Sequence, residues 1–237
     1  MKKQRFIDLK AIAWDAMQKY GFEPGFSKAV IREVEKIDEE GIPEKGARDL
    51  RSLLWSSIDN HDSMDLDQIE YSERGPGDEI QMKVAIADVD HFVPKRSQAD
   101  LHAAHNGTSV YTGVETFPML PDRLSKNISS LLPGRDHLAI VIEYAVLPNG
   151  DVRRGEIYRG IVRNKAKLIY EEVGGWLDGL RPIPESVSTV PGLEEQIRLQ
   201  AEAMGRLKKY RMEKVALELE TIEADPIAED GIVRDII

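Results

Sequence analysis

Apolar positions recur at helical spacing twice near the start of the chain. Phe6, Leu9, Ile12, Ala13 and Met17 form the first set, the breaker GFEPG follows, and a second amphipathic stretch runs from Phe26 to Ile37. Residues 39–46, EEGIPEKG, read as a linker. Beyond it the period falls to two. After the turn RGPGD (74–78), Ile80, Met82, Val84 and Ile86 alternate with Gln81, Lys83, Ala85 and Ala87, which predicts a β-hairpin with the strand before the turn. A second hairpin is predicted over 137–164, turning at Pro148-Asn149-Gly150-Asp151. Helices are predicted over 97–106 and 121–131. A short one, weakened by Gly174 and Gly175, is predicted in 165–179, and a long one carries Leu193, Ile197, Ala201, Met204 and Leu207 on one face. Residues 181–192 read as a loop, and 223–237 as two short strands about a turn. The pattern predicts an α/β fold, a mixed and mainly antiparallel sheet with surrounding helices. It divides the chain into a helical N-terminal segment, 1–47, and a larger domain, 48–237.

Composition narrows the possibilities. No run approaches the roughly 18 apolar residues of a membrane span. The basic start MKKQRFIDLK lacks the apolar stretch of a secretory signal. The absence of cysteine excludes disulfides, thiolate metal sites and cysteine nucleophiles, and suits a reducing cytoplasm. With 32 Lys and Arg against 42 Asp and Glu, the net charge of −10 excludes a uniformly basic coat. A polyanion would have to bind in a local basic channel or through metal ions. Residues 153–170 offer such a channel, with Arg153, Arg154, Arg159, Arg163, Lys165 and Lys167 against the single acid Glu156. The alternative is an ordinary hairpin face balanced by neighbouring acids. His102 and His105 lack a third metal ligand and read as structural or surface residues, RGPGD lacks the Gly-Lys-Ser/Thr of a phosphate loop, and Trp55 and Trp176 read as core anchors.

The segment Asp59–Glu73, DNHDSMDLDQIEYSE, holds four Asp, two Glu and no Lys or Arg, between the apolar stretches LLWSSI and IQMKVAIADV. Unit charges ~4 Å apart repel by about 1 kcal/mol in water and about 4 kcal/mol at an effective dielectric of 20. Gathering these groups beside a core therefore requires compensation. If the chain is extended here, Asp65 and Asp67 project to one side. With Asp59 and Asp62 entering from the preceding loop, they suit a hard divalent cation such as Mg²⁺ or Mn²⁺. Counted from Asp59, Glu70 falls at the twelfth position of a calcium loop, but Met64 stands where that loop needs Gly, and His61 and Ser63 are poor ligands for it. The bland reading is a solvated acidic loop.

The stretch DLRSLLWSSIDNHDSMDLDQIEY resembles the opening of the RNB catalytic domain of the ribonuclease II and RNase R family, whose pattern is Ile-Asp, a spacer, then Asp-x-Asp-Asp. Ile58-Asp59 and Asp65-Leu66-Asp67 match it. VAIADV (84–89), GTSVY (107–111), MLPDRLSKNISSLLP (119–133) and KAKLIY (165–170) are similar to later blocks in the same order, so the resemblance runs from about residue 48 to the end. It implies a 3′→5′ exoribonuclease that hydrolyses single-stranded RNA to nucleoside 5′-monophosphates with Mg²⁺. Two ions would generate hydroxide and stabilise the leaving oxygen. It implies metal or catalytic roles for Asp59, Asp65 and Asp67. It places Gln68, uncharged, on the fourth metal position, with Asp62 the nearest spare carboxylate in sequence. Tyr111 and Tyr170 fall where the family stacks aromatic rings on bases, and Lys165 and Lys167 flank the second of these on the basic strip. Members of the family continue into a helical half that adds active-site residues, so these residues are expected to form the N-terminal portion of a longer catalytic domain, or a truncated relative. A different class of function, a non-catalytic RNA-binding or interaction module on the same scaffold, is favoured by Gln68.

Overall fold

The computed structural model describes residues 8–38 and 46–214, together with the backbone of 226–229 and 232–236. In chain order the elements are α1 (Leu9–Lys19), α2 (Lys28–Val34), β1 (Arg48–Asp49), β2 (Trp55–Asp59), β3 (Gln68–Arg74), β4 (Ile80–Ala87), α3 (Val89–Phe92), α4 (Gln98–Asn106), β5 (Val110–Thr112), β6 (Glu115–Phe117), β7 (His137–Val146), β8 (Val152–Val162), β9 (Asn164–Ile169), α5 (Tyr170–Leu177), α6 (Glu185–Ser188), α7 (Leu193–Glu213), β10 (Pro226–Glu229) and β11 (Ile232–Ile236). The described residues form two compact units, one of residues 8–37 and 93–124 with β10 and β11, the other of 38, 46–92 and 125–214.

In the first unit each of three helices begins where a side chain satisfies an otherwise unpaired N–H. Asp8 accepts from Ala11 at α1, Ser27 from Val30 at α2, and Ser97 from Asp100 at α4. Glu33 of α2 accepts from the backbone N–H groups of Gln98 and Ala99, which joins α2 to the start of α4. His102 is buried in α4, hydrogen-bonded to Glu23 and Asn106, as befits a structural histidine. The β5–β6 hairpin completes this part of the unit, and β10 pairs antiparallel with β11, as the C-terminal pattern predicted. The first predicted apolar position, Phe6, and the linker residues 39–45 lie outside the described residues.

The second unit is a seven-stranded sheet in the order β1-β8-β7-β4-β3-β2-β9. The inner pairings are antiparallel, and a parallel strand lies at each edge. This is the mixed, mainly antiparallel α/β architecture that the pattern predicted. Both hairpins form. At the second, Gly150 adopts φ 82°, and a side chain there would strike the backbone of Arg206 on α7. One face of the sheet is closed by Trp55, Leu66, Ile69, Ala85, Leu131, Ala139, Val141 and Val162. On the other, Leu199 and Ala203 of α7 pack on Ile80, Met82 and Val146. The helices α5, α6 and the start of α7 enclose Ala166 and Leu168 of β9.

Four predicted details are corrected. Residues 165–169 are the edge strand β9, because their alternation buries Ala166 and Leu168 against the helices, and helix begins only at Tyr170. The predicted loop 181–192 contains the short helix α6, whose Val187 is fully buried. The predicted helix 121–131 is shorter, helical over 122–128 and wound wide from Leu124 to Ile128. On α7 the buried face is Leu193, Gln196, Ile197, Leu199 and Ala203, leaving Met204 exposed. The helix docks by a polar contact that apolar counting misses. The Gln196 amide donates to the Ser72 carbonyl at 2.5 Å and accepts from the Ser72 N–H at 2.8 Å, occupying backbone groups of β3 much as a neighbouring strand would.

Because α7 sits over the Ser72–Arg74 end of β3, the opposite end of that face stays open. Ile86, paired with Gln68 there, is 40% exposed although its period-two partners Ile80 and Met82 are buried.

Candidate active site

The acidic segment lies at this open end, between β2 and β3. Its backbone is fixed from several directions. The buried Ser130 hydroxyl donates to the Met64 carbonyl at 2.6 Å and accepts from the Leu66 N–H at 3.0 Å. Leu131 N–H donates to Leu66 O and Ala87 N–H to Asp67 O. The Lys167 ammonium on β9 donates to the carbonyls of His61 at 2.9 Å and Ser63 at 2.5 Å. Residues 64–67 are unpaired as a strand, yet they alternate as expected. Leu66 is fully buried while Asp65 is half-buried and Asp67 exposed, so the two aspartates project away from the core.

Electrostatics show which carboxylates are neighbours. Burial raises the Asp59 carboxyl above its ordinary range, and the charges of Asp67 and Asp65 add to this, while Lys167 opposes it. Burial pushes Glu70 up to about 7, with Asp59 and Asp67 contributing. The Tyr170 phenol, first residue of α5 and 54% exposed, is raised by burial and then by Asp59, Glu70 and Asp67. The structure thus brings Asp59, Asp65, Asp67 and Tyr170 into one neighbourhood, and adds Glu70. Glu70 was legible in the sequence only as the last position of a rejected calcium loop. The signal that could have found it is its place two residues beyond Gln68 on one strand face. Asp62, the spare carboxylate nearest in sequence, is exposed in the turn. The oxygen donors in this neighbourhood have the chemistry that hard divalent cations require. Among the described residues no three acidic or histidine side chains are drawn together closely enough to hold an ion.

The remaining predicted residues are dispersed. Tyr111 lies on β5 in the first compact unit, 68% exposed. Lys165 is half-buried on β9, whereas two of the three donors of Lys167 are taken up by the loop carbonyls. Three of the six cations of the basic strip are paired with acids. Arg153 pairs with Glu79 at 2.6 Å, Arg159 with Asp88 at 2.6 Å and Arg163 with Asp136 at 2.6 Å. For these three arginines the balanced-face alternative holds.

Comparison with known proteins gives a consistent picture. The family model of the RNB domain matches residues 47–236. Ribonuclease R of Aquifex aeolicus is 31% identical over 231 residues, covering 96% of this chain and 32% of that protein. Ribonuclease R of Thermotoga maritima is 34% identical over 221 residues, covering 91% of this chain and 30% of that protein. The chain therefore spans about a third of the length of these curated relatives. Among solved structures, Mycoplasma genitalium RNase R in complex with ribose-methylated single-stranded RNA superposes with a TM-score of 0.85 at 22% identity, covering 94% of this chain and 34% of that one. At that identity the likeness speaks for the fold.

Proposed function

Given that this chain belongs to the RNB domain family, we propose that it carries the metal-binding part of a 3′→5′ exoribonuclease, which hydrolyses single-stranded RNA to nucleoside 5′-monophosphates with Mg²⁺ or Mn²⁺. The observation that carries this reading is the neighbourhood of Asp59, Asp67 and Glu70 beside the exposed ring of Tyr170. Bound divalent ions would supply activation of water and stabilisation of the leaving oxygen.

The chain's own residues do the rest. Asp59, Asp65 and Asp67 would have to close around the ions to hold them, and Gln68 would add a neutral oxygen. Tyr170 offers a π face to a base near the 3′ end, a sequence-tolerant contact worth roughly 1–3 kcal/mol per base. Lys165 and the exposed Tyr111 are further RNA contacts. Lys167 serves RNA indirectly, by holding the carboxylate loop.

The test is degradation of 5′-labelled single-stranded RNA by excess chain, with Mg²⁺ or with EDTA. Mg²⁺-dependent shortening from the 3′ end with release of 5′-monophosphates, lost in Asp67→Asn, is expected. RNA that binds but stays intact in both Mg²⁺ and Mn²⁺ would replace this reading with that of a non-catalytic RNA-binding module, which the neutral Gln68 favours.

A further inference from the structure

The sheet face that α7 crosses is only partly covered. On that face the strand register sets Val84, Ile142 and Ile157 in one row, and Ile86, Ile140 and Arg159 in the next. The row before them, Met82 and Tyr144, lies under Leu199 and Ala203 of α7. The row after them, Leu138 and Ile161, is buried. Between these covered rows runs a trough floored by Val84, Ile86, Ile140, Ile142 and Ile157, with Ile86 40% and Ile157 70% exposed. Single exposed apolar residues need no explanation, but a contiguous set across β4, β7 and β8 marks a docking surface.

The trough has the proportions of a helix. Rows two residues apart along a strand are about 7 Å apart, and packed helices stand about 8–10 Å apart, so one helix laid beside α7 covers both open rows. α7 itself forms a wall. Its Leu199 and Ala203 point down to the sheet, while Glu202 and Arg206 bond Arg74 and Asp78 at the near end. The helical turn therefore brings Met204, 62% exposed, and Arg211 round to the trough side. The charge along this border is positive. Arg154, paired in register with Tyr144, and Arg211 are both exposed, and neither has an ion-pair partner among the described residues. The floor is aliphatic, which suits interdigitating leucine or isoleucine side chains, whereas bases stack on aromatic rings.

We propose that this trough docks an acidic amphipathic helix of a partner polypeptide. The aliphatic side of that helix rests on Val84, Ile86, Ile140, Ile142 and Ile157, and its carboxylates meet Arg154 and Arg211. The surface extends the helical layer that α5, α6 and α7 already lay over β9 and β3, and it gives the chain a binding role separate from the proposed hydrolysis.

The probe is a stapled amphipathic helix of leucine, alanine and glutamate, fluorescein-labelled, with a lysine-for-glutamate counterpart. Both are titrated with the full chain by fluorescence anisotropy in EDTA. Wild type should bind the glutamate helix and not the lysine helix. Ile86→Asp and Ile157→Asp, at exposed positions, should keep the wild-type melting temperature, and each should weaken binding about tenfold or more. Arg154→Glu should release the glutamate helix and accept the lysine helix, a reversal that indiscriminate apolar adhesion would not give. Failure of wild type to bind the glutamate helix, or equal binding by wild type and Ile157→Asp, overturns the proposal. So does either of two other occupants. A wild-type dimer in sedimentation that becomes monomeric in Ile157→Asp would give the trough to a second copy. Displacement of the glutamate helix by single-stranded RNA, with RNA binding lost in Ile157→Asp, would give it to RNA.

Discussion

His137, at the start of β7, is 7% exposed. Burial lowers its pKa below 6.5, and the nearby Arg135 adds to this, while a bond to the Leu132 backbone and the charge of Asp136 pull the other way. The sign follows from proton counting. Below 6.5 the unfolded chain takes up a proton that the folded chain refuses, so stability is lost as pH falls and is fully present above 6.5. Carboxylates lowered by partners, such as Glu143 beside Lys83 and Tyr158, lose their contribution at lower pH, below their unfolded value of 4.5. The melting temperature of wild type should therefore fall more steeply between pH 6.5 and 5 than that of His137→Gln. Parallel curves would mean that the imidazole titrates alike in both states. Single residues of this kind, with Glu70 and Ser130, acquire their character from neighbours distant in sequence.

At the scale of elements, the informative feature is the strap from β9 to the β2–β3 loop. Lys167 spends its donors on two carbonyls of a segment dense in negative charge, so it both fixes the loop backbone and offsets its charge. Hydrogen bonds to a charged group are worth about 1.5–3 kcal/mol, and their loss should appear as local opening. In Lys167→Met, amide hydrogen exchange across residues 61–66 should quicken about tenfold or more in metal-free protein, with the β7–β8 hairpin unchanged. Lys167→Arg should restore part of the protection. Unaltered exchange in the loop would show that Ser130 and the Leu66–Leu131 bond hold it unaided. A second element-level device is Gln196, which stitches α7 to β3 through the Ser72 backbone and so sets how far the helix extends over the sheet.

At the scale of the molecule, the net charge is −10, and ion pairs occupy Arg153, Arg159 and Arg163, half of the basic strip. For single strands, log K falls with log salt by about 0.7 for each phosphate neutralised. RNA binding by this chain should therefore show a shallow salt slope, carried by few contacts. Lys165→Ala should lower that slope by about 0.7, whereas Arg153→Ala and Lys167→Met should leave it unchanged, whatever they do to stability. A slope that drops equally in all three would mean that the whole strip meets RNA and its ion pairs open on binding. Fluorescence anisotropy titrations from low to moderate salt, with EDTA to prevent cleavage, measure this directly.

Much of the second unit was written in local pattern. Alternation about RGPGD and Pro148–Asp151 determined both hairpins, because a period of two and turn residues act over a few positions. The spacing of Asp59, Asp65 and Asp67 singled out the carboxylates, because charge density on a short segment needs no tertiary knowledge to stand out. Sequence alone did not decide that β9 is a strand at the sheet edge, that α7 turns Gln196 inward and Met204 outward, or that Glu70 faces an orphan hydroxyl. Nor did it decide that half of the basic strip is already paired with acids. Each of these depends on a partner far along the chain: α5–α7 for β9, Ser72 for Gln196, Ser56 for Glu70, and Glu79, Asp88 and Asp136 for the arginines. Local pattern sets which side of an element is apolar. Tertiary packing decides which polar groups are left facing one another.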